Sequence, residues 1–342
     1  MALLEVKNLT TDFRMEQGKV RAVRNVSFHV ERGEVLGIVG ESGSGKSVTM
    51  YTIMGLLADN AEIAEGSVLF DGKEICRNAY PSRRAYEKEM CEIRGNTIAM
   101  IFQDPMTFLN PVLKIETQLV EPLMNHDRKM SRSEARKNAL ELMHQVGIPS
   151  PEKRISQYPF EFSGGMRQRI VIAIALARHP KLIIADEPTT ALDVTIQAQV
   201  LELIGSIRKQ ENAAIILITH DLGIVAKMCD RINIMYGGKI VETGTDEEIF
   251  YNPKHPYTIG LFNCISNAED DADKPLTPIP GSPPDLLNPP KGCPFVDRCE
   301  KAMWICQDYM PDAEVFSRTH QCQCWLHHGK AVMLRANKQE QS

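Results

Sequence analysis

Residues 34–47 read Glu-Val-Leu-Gly-Ile-Val-Gly-Glu-Ser-Gly-Ser-Gly-Lys-Ser, and this segment is the most informative about the architecture of the chain. Its second part matches the pattern G-x-x-x-x-G-K-[ST], whose glycines let the backbone wrap closely around a phosphate. The matching residues are Gly40, Glu41, Ser42, Gly43, Ser44, Gly45, Lys46 and Ser47. We predict a buried strand, a phosphate loop and a helix that begins near Ser47. Lys46 would reach the β- and γ-phosphates of a nucleotide, and the Ser47 hydroxyl would ligate Mg²⁺.

A second segment supplies the carboxylates that such a site needs. Leu182-Ile-Ile-Ala-Asp186-Glu187 is an apolar run that ends in two acidic residues. A buried strand of this kind predicts both carboxylates at the carboxyl edge of a parallel sheet, beside the phosphate loop. Asp186 is suited to hold Mg²⁺ through water. Glu187 is suited to orient and deprotonate an attacking water.

The pattern of apolar runs predicts a largely parallel α/β sheet. Residues 97–102, 182–185 and 215–219 read as core strands separated by helical patterns. The first thirty residues alternate instead, as half-buried antiparallel strands do. A helical insertion is predicted from about 104 to 160. It contains an amphipathic helix with a serine-capped start and a terminal glycine, from Ser131 to Gly147.

Composition excludes several classes of protein. The 342 residues carry a net charge of −5, so binding to a nucleic-acid backbone is not expected. No segment approaches the roughly 18 uninterrupted apolar residues of a membrane span. The first residues lack the basic start and apolar stretch of a signal peptide. We therefore expect a protein that folds in the cytosol and reaches a membrane only through partners.

The C-terminal region changes character. Gly237-Gly238 lies between two apolar runs and predicts a hairpin. Residues 270–290 are rich in acidic residues and proline, which is typical of an extended linker. Of nine cysteines, five follow that linker, at Cys293, Cys299, Cys306, Cys322 and Cys324. In a reducing compartment such a cluster indicates metal or iron–sulfur ligation before disulfides.

One motif gives a family resemblance. Phe162-Ser-Gly-Gly-Met-Arg-Gln-Arg169 resembles the signature of ABC ATPases, and like that signature it stands shortly before the Asp-Glu strand. The order of the motifs extends the resemblance over residues 1 to about 260. It implies an α/β, P-loop (RecA-like) core with an antiparallel β subdomain and a helical insertion subdomain, followed here by a cysteine-rich C-terminal extension. Met166 departs from the glutamine of many ABC proteins.

The resemblance also implies roles for single residues. Phe13 would stack on adenine, and Gln103 would be the Q-loop glutamine, a Mg²⁺ ligand that takes part in catalysis. Asp193 would be the D-loop aspartate, and His220 the switch histidine of catalysis. In ABC proteins two chains pack head to tail, so that each signature closes on the ATP of its partner. The residues that would do this here are Ser163, Gly164, Gly165 and Met166.

Further stretches resemble dipeptide and oligopeptide importers. They are residues 100–111 and 185–199 and the element His255-Pro-Tyr-Thr258, which starts the C-terminal extension of that family. The family extension ends in Cys-Pro-x-x-x-Arg-Cys, another cysteine, and a distal cysteine after a histidine. In some members of the family these cysteines bind a [4Fe–4S] cluster. The resemblance implies that the ligands here would be Cys293, Cys299, Cys306 and Cys324, with Cys322 as an alternative fourth ligand. A zinc site or reduced thiols are the other interpretations.

The sequence thus predicts an ATP- and Mg²⁺-dependent motor of a peptide importer. Its ATPase domain would span 1–264 and its extension 265–342. The implied partners are a second ABC ATPase subunit, different rather than identical, two membrane permease subunits and an extracytoplasmic substrate-binding protein. They would hold the chain at the cytoplasmic face of the cell membrane. The same motor for nickel, glutathione or another small solute is the alternative, and a soluble ABC ATPase without a transport role is a more remote one.

Overall fold

The computed structural model of the protein describes residues 2–127, 129–190, 192–270 and 279–331. The strands are β1 Leu4–Met15, β2 Gly18–Val30, β3 Val35–Val39, β4 Ala61–Phe70, β5 Lys73–Glu74, β6 Ile98–Ile101, β7 Leu182–Asp186, β8 Ala214–Ile218, β9 Arg231–Tyr236, β10 Lys239–Thr245, β11 Glu314–Val315 and β12 Gln321–Cys322. The α-helices are α1 Lys46–Met54, α2 Arg83–Ile93, α3 Pro105–Phe108, α4 Ile115–His126, α5 Arg132–Gln145, α6 Pro151–Arg154, α7 Gly164–Leu176, α8 Val194–Glu211, α9 Leu222–Met228, α10 Asp246–Tyr251, α11 Pro256–Asp270 and α12 Ile305–Asp308. Short 3₁₀ turns lie at Arg77–Ala79, Pro159–Glu161 and Val296–Arg298.

The chain divides into two compact units. The first comprises Met1–Glu5, His29–Val35 and Leu69–Thr219. The second comprises Val6–Phe28, Leu36–Val68 and His220–Ser342. The predicted boundary between residues 264 and 265 lies within α11 and stays a prediction.

The first unit is built on three parallel strands. β7 pairs with β6 on one side and with β8 on the other, both in parallel register. All residues of these three strands are buried, as expected of a sheet covered on both faces. All are apolar except the last residue of β7, Asp186. The predicted helical insertion consists of α3 to α6, of which α3, α4 and α5 pack against α7. The Ser131 hydroxyl caps α5 by accepting the N–H of Glu134 at 3.2 Å.

The second unit combines two sheets. β2, β1 and β4 are neighbours in that order, and the two-residue connection between β1 and β2 requires them to be antiparallel. In the other sheet β3 pairs in parallel with β9, and β9 continues into β10 through the predicted hairpin. The turn residues Gly237 and Gly238 have φ values of 53° and 79°, which favour glycine.

The C-terminal segment completes that second sheet. β12 adds to β10 as an antiparallel strand, with Glu242 opposite Cys322, and β11 adds to β12. The residues that follow the predicted linker are therefore part of the unit that contains the phosphate loop. Residues 279–290 form no helix or strand, and 271–278 of the predicted linker lie outside the described residues. Among the described helices, none is both long and apolar enough to cross a bilayer.

Candidate nucleotide-binding site and cysteine cluster

The phosphate loop joins β3 to α1, as its sequence predicts. At two positions of this loop, nearby backbone atoms leave no room for any residue other than glycine. A Cβ on Gly40 would lie 2.1 Å from the Met235 carbonyl oxygen, and one on Gly45 would lie 2.5 Å from that of Ala22. Gly45 also has a φ of 99° at the N-cap of α1. The backbone path of the loop therefore excludes any side chain at these positions.

Lys46 lies at the first position of α1 and is 6% exposed. Its ammonium donates to the carbonyl oxygens of Gly40 at 2.7 Å and Glu41 at 2.9 Å. The Ser44 carbonyl accepts the Gly238 N–H at 3.1 Å, which fixes the middle of the loop to the β9–β10 turn. The positive charge is thus held inside the curve of the loop, where a nucleotide phosphate is expected.

The two predicted carboxylates lie at the end of β7 in the first unit. Asp186 is 1% exposed, and Glu187 follows it with a φ of 46°, in the left-handed region that residues other than glycine seldom adopt. Glu187 Oε2 accepts hydrogen bonds from Gln103 Nε2 at 2.9 Å and from Thr190 Oγ1 at 2.8 Å. The structure therefore brings the predicted base and the predicted Q-loop glutamine together. Thr190 is a contact that the sequence did not indicate.

The signature segment caps α7. The Ser163 hydroxyl accepts the Met166 N–H at 3.4 Å, and the first turn of the helix begins at Gly164. Gly164 has open space where a Cβ would stand. A Cβ on Gly165 would lie 2.6 Å from Ile196 Cγ2 of α8. Ser163 and Gly164 are exposed, which leaves the N-terminus of α7 accessible to an anion.

Three other predicted residues occupy ends or edges of elements. Asp193 is exposed and caps α8 by accepting the Ile196 N–H at 3.0 Å. His220 is exposed and follows the end of β8. Phe13 lies on β1 and is partly exposed. Their roles toward a nucleotide stay predictions.

Four of the five C-terminal cysteines line one small cavity, Cys293, Cys299, Cys306 and Cys324. The pKa of the Cys293 thiol is raised to about 12, mainly by burial and to a smaller extent by the nearby thiols of the other three. Cys322 instead lies in β12 opposite Glu242 and is 1% exposed. The cavity lining therefore includes Cys324 and not Cys322, and which of the two would be the fourth ligand stays a prediction.

The cavity combines these four thiols with a buried imidazole. His255 also lines it, and its Nδ1 accepts the Tyr257 N–H at 3.1 Å. The ring hydrogen is therefore on the buried Nε2, which has no hydrogen-bond partner among the described residues. Cysteine thiolates are the usual ligands of a [4Fe–4S] cluster, and an N–H donor can hydrogen-bond to its sulfurs, so the residue types fit the predicted group. In the described chain, however, no three His, Cys, Asp or Glu side chains are arranged closely enough to hold a metal ion.

Sequence reasoning missed the contacts of Glu41. Its backbone N–H donates to the Tyr257 hydroxyl at 2.9 Å, and its carboxylate pairs with Arg298 at 2.7 Å. Both partners belong to the second unit, more than two hundred residues along the chain. The sequence did contain one indication of these contacts. A carboxylate inside a loop that binds anions is unfavourable unless a cation lies nearby, and this predicts a basic partner for Glu41.

Comparison with known proteins agrees with this geometry. The family described as ABC transporter matches residues 23–190, and the family described as the C-terminal region of oligopeptide/dipeptide transporters matches residues 241–306. The oligopeptide transport ATP-binding protein of Bacillus subtilis is 53% identical over 96% of this chain and 90% of its own length. The dipeptide transport ATP-binding protein of Lactococcus lactis is 53% identical over 95% and 90%.

Solved structures give the same fold for the larger part of the chain. An ATP-binding cassette, determined as a dimer in a post-hydrolysis state with ADP and Pi, superposes with a TM-score of 0.62. It is 29% identical and covers 71% of this chain and 98% of its own length. The shared fold supports the α/β ATPase architecture that the motifs imply.

Proposed function

Since this chain belongs to the ABC transporter family, among its oligopeptide and dipeptide ATP-binding subunits, we propose that it is the ATP-hydrolysing motor of a peptide importer. The observation that best supports the proposed ATP hydrolysis is the position of Glu187. It follows the buried Asp186 at a strand end, and Gln103 and Thr190 hold its carboxylate. The relatives named for peptide transport, which match nearly the whole chain, support the cargo.

The proposed chemistry assigns each site residue a task. Residues 40–47 bind the phosphates and Phe13 the adenine. The residues that would hold Mg²⁺ are Ser47, Gln103 and Asp186. Glu187 takes the proton of the attacking water, and His220 stabilises the charge that develops on the phosphate. Asp193 and the exposed signature residues 163–166 serve a second ATPase subunit, whose ATP the N-terminus of α7 would contact.

We further propose that the chain works in an assembly at the cytoplasmic face of the cell membrane. Two permease subunits form the pore, a substrate-binding protein delivers the peptide, and the second ATPase subunit is a different chain. An exposed apolar surface after Gln103 supports docking of a permease helix there. Val112 is 76% exposed, and Phe108 and Leu113 are each 37% exposed.

The cysteine cavity is proposed to hold a [4Fe–4S] cluster through Cys293, Cys299, Cys306 and Cys324, which would stabilise a segment that contains little regular structure. The test is anaerobic purification followed by iron, sulfide and zinc analysis. Cys324→Ser should lose the iron, whereas the neighbouring Cys322→Ser should retain it. Zinc without sulfide would replace the cluster with a zinc site, and protein without any metal would contradict both.

The test of function is uptake by cells that lack other importers of the same cargo. They would carry the wild type, Glu187→Gln, or the control Glu202→Gln, which makes the same change at an exposed position of α8. We expect Glu187→Gln to abolish uptake of a labelled dipeptide or pentapeptide, while the purified variant still binds ATP. If Glu187→Gln abolished the uptake of nickel or glutathione but left peptide uptake normal, the proposal that peptides are the cargo would be wrong. Steady ATP hydrolysis by Glu187→Gln would overturn its role as the base.

A further inference from the structure

The phosphate loop contains a carboxylate whose charge opposes nucleotide binding. Glu41 Oε2 lies 2.7 Å from Arg298 Nη1, and the two side chains are 26% and 7% exposed. A pair so shielded from water is screened little by salt, so the guanidinium cancels the charge of Glu41. Arg298 is the arginine of the Cys-Pro-x-x-x-Arg-Cys motif and directly precedes Cys299. The cysteine-rich segment thus contacts the phosphate loop directly.

Arg298 is held in place by groups other than Glu41. Its Nη1 also donates to the Tyr236 hydroxyl at 3.1 Å. Its Nε donates to the Pro280 carbonyl at 2.8 Å, and Nη2 to that of Ile279 at 3.1 Å. A guanidinium with its donors distributed in this way has a fixed orientation, which a mobile surface arginine lacks.

The backbone of Glu41 is fixed from the same side. Its N–H donates to the Tyr257 hydroxyl at 2.9 Å. The carbonyl of that same peptide group, Gly40 O, accepts the Lys46 ammonium at 2.7 Å. Tyr257 is fully buried and packs against Tyr236, with ring centroids 4.5 Å apart. One peptide group therefore connects the aromatic residues beneath the loop to its lysine.

A second contact joins the segment to the loop. A Cβ on Gly237 would lie 2.7 Å from Pro294 Cβ, so the proline packs tightly on the β9–β10 turn. The next residue, Gly238, donates its N–H to the Ser44 carbonyl at 3.1 Å. Residues 293–299 thus support the phosphate loop at both Glu41 and Ser44.

We propose that Arg298 is a positioning residue of the nucleotide site. It neutralises Glu41 and, with Tyr257, holds the Gly40–Glu41 peptide in the orientation that places Lys46. The proposal rests on the proposed ATPase function, since it concerns the same loop. Its consequence is that the C-terminal segment, which carries no part of the phosphate motif, sets the affinity for ATP.

The test is ATP affinity of the purified full-length chain, measured by isothermal titration calorimetry. Arg298→Gln leaves Glu41 charged beside the phosphates, and we expect ATP binding to weaken about tenfold. Arg298→Lys should recover part of the loss, because it restores the charge without the fork of donors. Arg318→Gln is the control, an exposed arginine of the same segment. Thermal melts and metal analysis show whether the segment stays folded.

Two further variants separate positioning from a merely structural role. In a Glu41→Gln background there is no charge to neutralise, so Arg298→Gln should change the affinity by less than about twofold. Tyr257→Phe removes only the acceptor of the Glu41 N–H and should weaken ATP binding in a chain that melts as a folded protein. An equal loss from Arg298→Gln in both backgrounds, or unchanged affinity for Arg298→Gln and Tyr257→Phe, would overturn the proposal. Absent ATP binding by the wild type would instead overturn the proposed function.

Discussion

Glu187 combines a catalytic assignment with an unfavourable backbone conformation. Its φ of 46° places a Cβ-bearing residue in the left-handed region. At such a position glycine is favoured over alanine by about 1 kcal/mol, the reverse of the usual order. We therefore predict that Glu187→Gly is more stable than Glu187→Ala, while both variants are inactive. Both remove the same contacts with Gln103 and Thr190, so the comparison isolates the backbone.

The measurement for this pair is urea unfolding followed by circular dichroism. A matched pair at Glu202, in the regular helix α8, serves as the reference and should show the usual preference for alanine. Equal preference for alanine at both positions would mean that Glu187 carries no backbone strain.

At the scale of residues, the sequence predicted the roles of residues within one motif. It did not predict contacts between residues far apart in the chain. The identity and spacing of Gly40, Lys46 and Asp186 are enough to predict phosphate and metal binding, because these tasks need particular atoms at fixed separations. Arg298 gave no such signal, since its partner Glu41 is 257 positions away and nothing local relates them. The positions of Cys324 in the cavity lining and of Cys322 in β12 likewise depend on strand pairing, which the sequence does not reveal.

At the scale of elements, the tightest contact described between α7 and α8 involves a glycine. A Cβ on Gly165 would lie 2.6 Å from Ile196, whereas Gly164 faces open space. We predict that Gly165→Ala destabilises the fold by roughly 1–3 kcal/mol through overpacking. Gly164→Ala should leave stability within about 1 kcal/mol of the wild type, since alanine suits a helix better than glycine.

Thermal melts of the two alanine variants test this difference. If both melted at the temperature of the wild type, the contact between Gly165 and Ile196 would not be tight. ATPase activity of the assembled transporter gives a separate readout. Gly164→Ala should impair it despite normal folding, because the added methyl group narrows the exposed N-terminus of α7.

The helix α10 is linked to the C-terminal segment through Glu248. This carboxylate accepts the Thr245 N–H at 2.9 Å and the hydroxyls of Ser317 and Thr319 at 2.6 and 2.8 Å. Burial alone would raise the pKa of Glu248, but these hydrogen bonds together lower it below its ordinary 4.5. The charged form is therefore favoured by folding. Its stabilisation is complete above pH 4.5 and is lost as the pH falls through the lowered pKa.

We predict that Glu248→Gln is less stable than the wild type at neutral pH and that this difference shrinks below pH 4.5. Urea unfolding at a series of pH values measures it. Glu247→Gln is the control, because Glu247 is an exposed neighbour in the same helix turn. A difference that grew on acidification would reverse the sign of the effect.

At the scale of the whole molecule, β10 depends on a strand that follows much later in the chain. β12 covers it through the pairs Glu242–Cys322 and Thr243–Gln321. The buried Glu242 also accepts a hydrogen bond from His320 at 2.8 Å if the ring nitrogen carries the proton. Ending the chain at residue 270 would leave β10 as an open edge, and such edges pair with other chains.

We therefore predict that a chain ending at residue 270 aggregates, whereas one ending at residue 331, which keeps β12, does not. Size-exclusion chromatography with light scattering distinguishes the two. A monodisperse 1–270 chain with the melting temperature of the full protein would contradict the structural role of β12.

The architecture of the core was predictable, but the relation of the C-terminal segment to it was not. Apolar runs predicted buried strands at 97–102, 182–185 and 215–219, and the structure has them at 98–101, 182–186 and 214–218. Burial on both faces makes such strands continuously apolar. Composition placed a boundary at 264/265 because acidic, proline-rich stretches are typical of linkers. The pairing of β12 with β10 joins residues that are far apart in sequence. Neither the periodicity nor the composition of a segment reveals such a pairing.

The same pairing has a consequence for biosynthesis. The strand β3 and the phosphate loop leave the ribosome early, yet the sheet that contains them is completed only by residues 321–322. Contacts so distant in sequence form slowly. The nucleotide-binding unit must therefore wait, partly assembled and with β10 uncovered, until translation has passed those residues. During that interval β10 is an uncovered edge, at which a nascent chain is exposed to pairing with other chains.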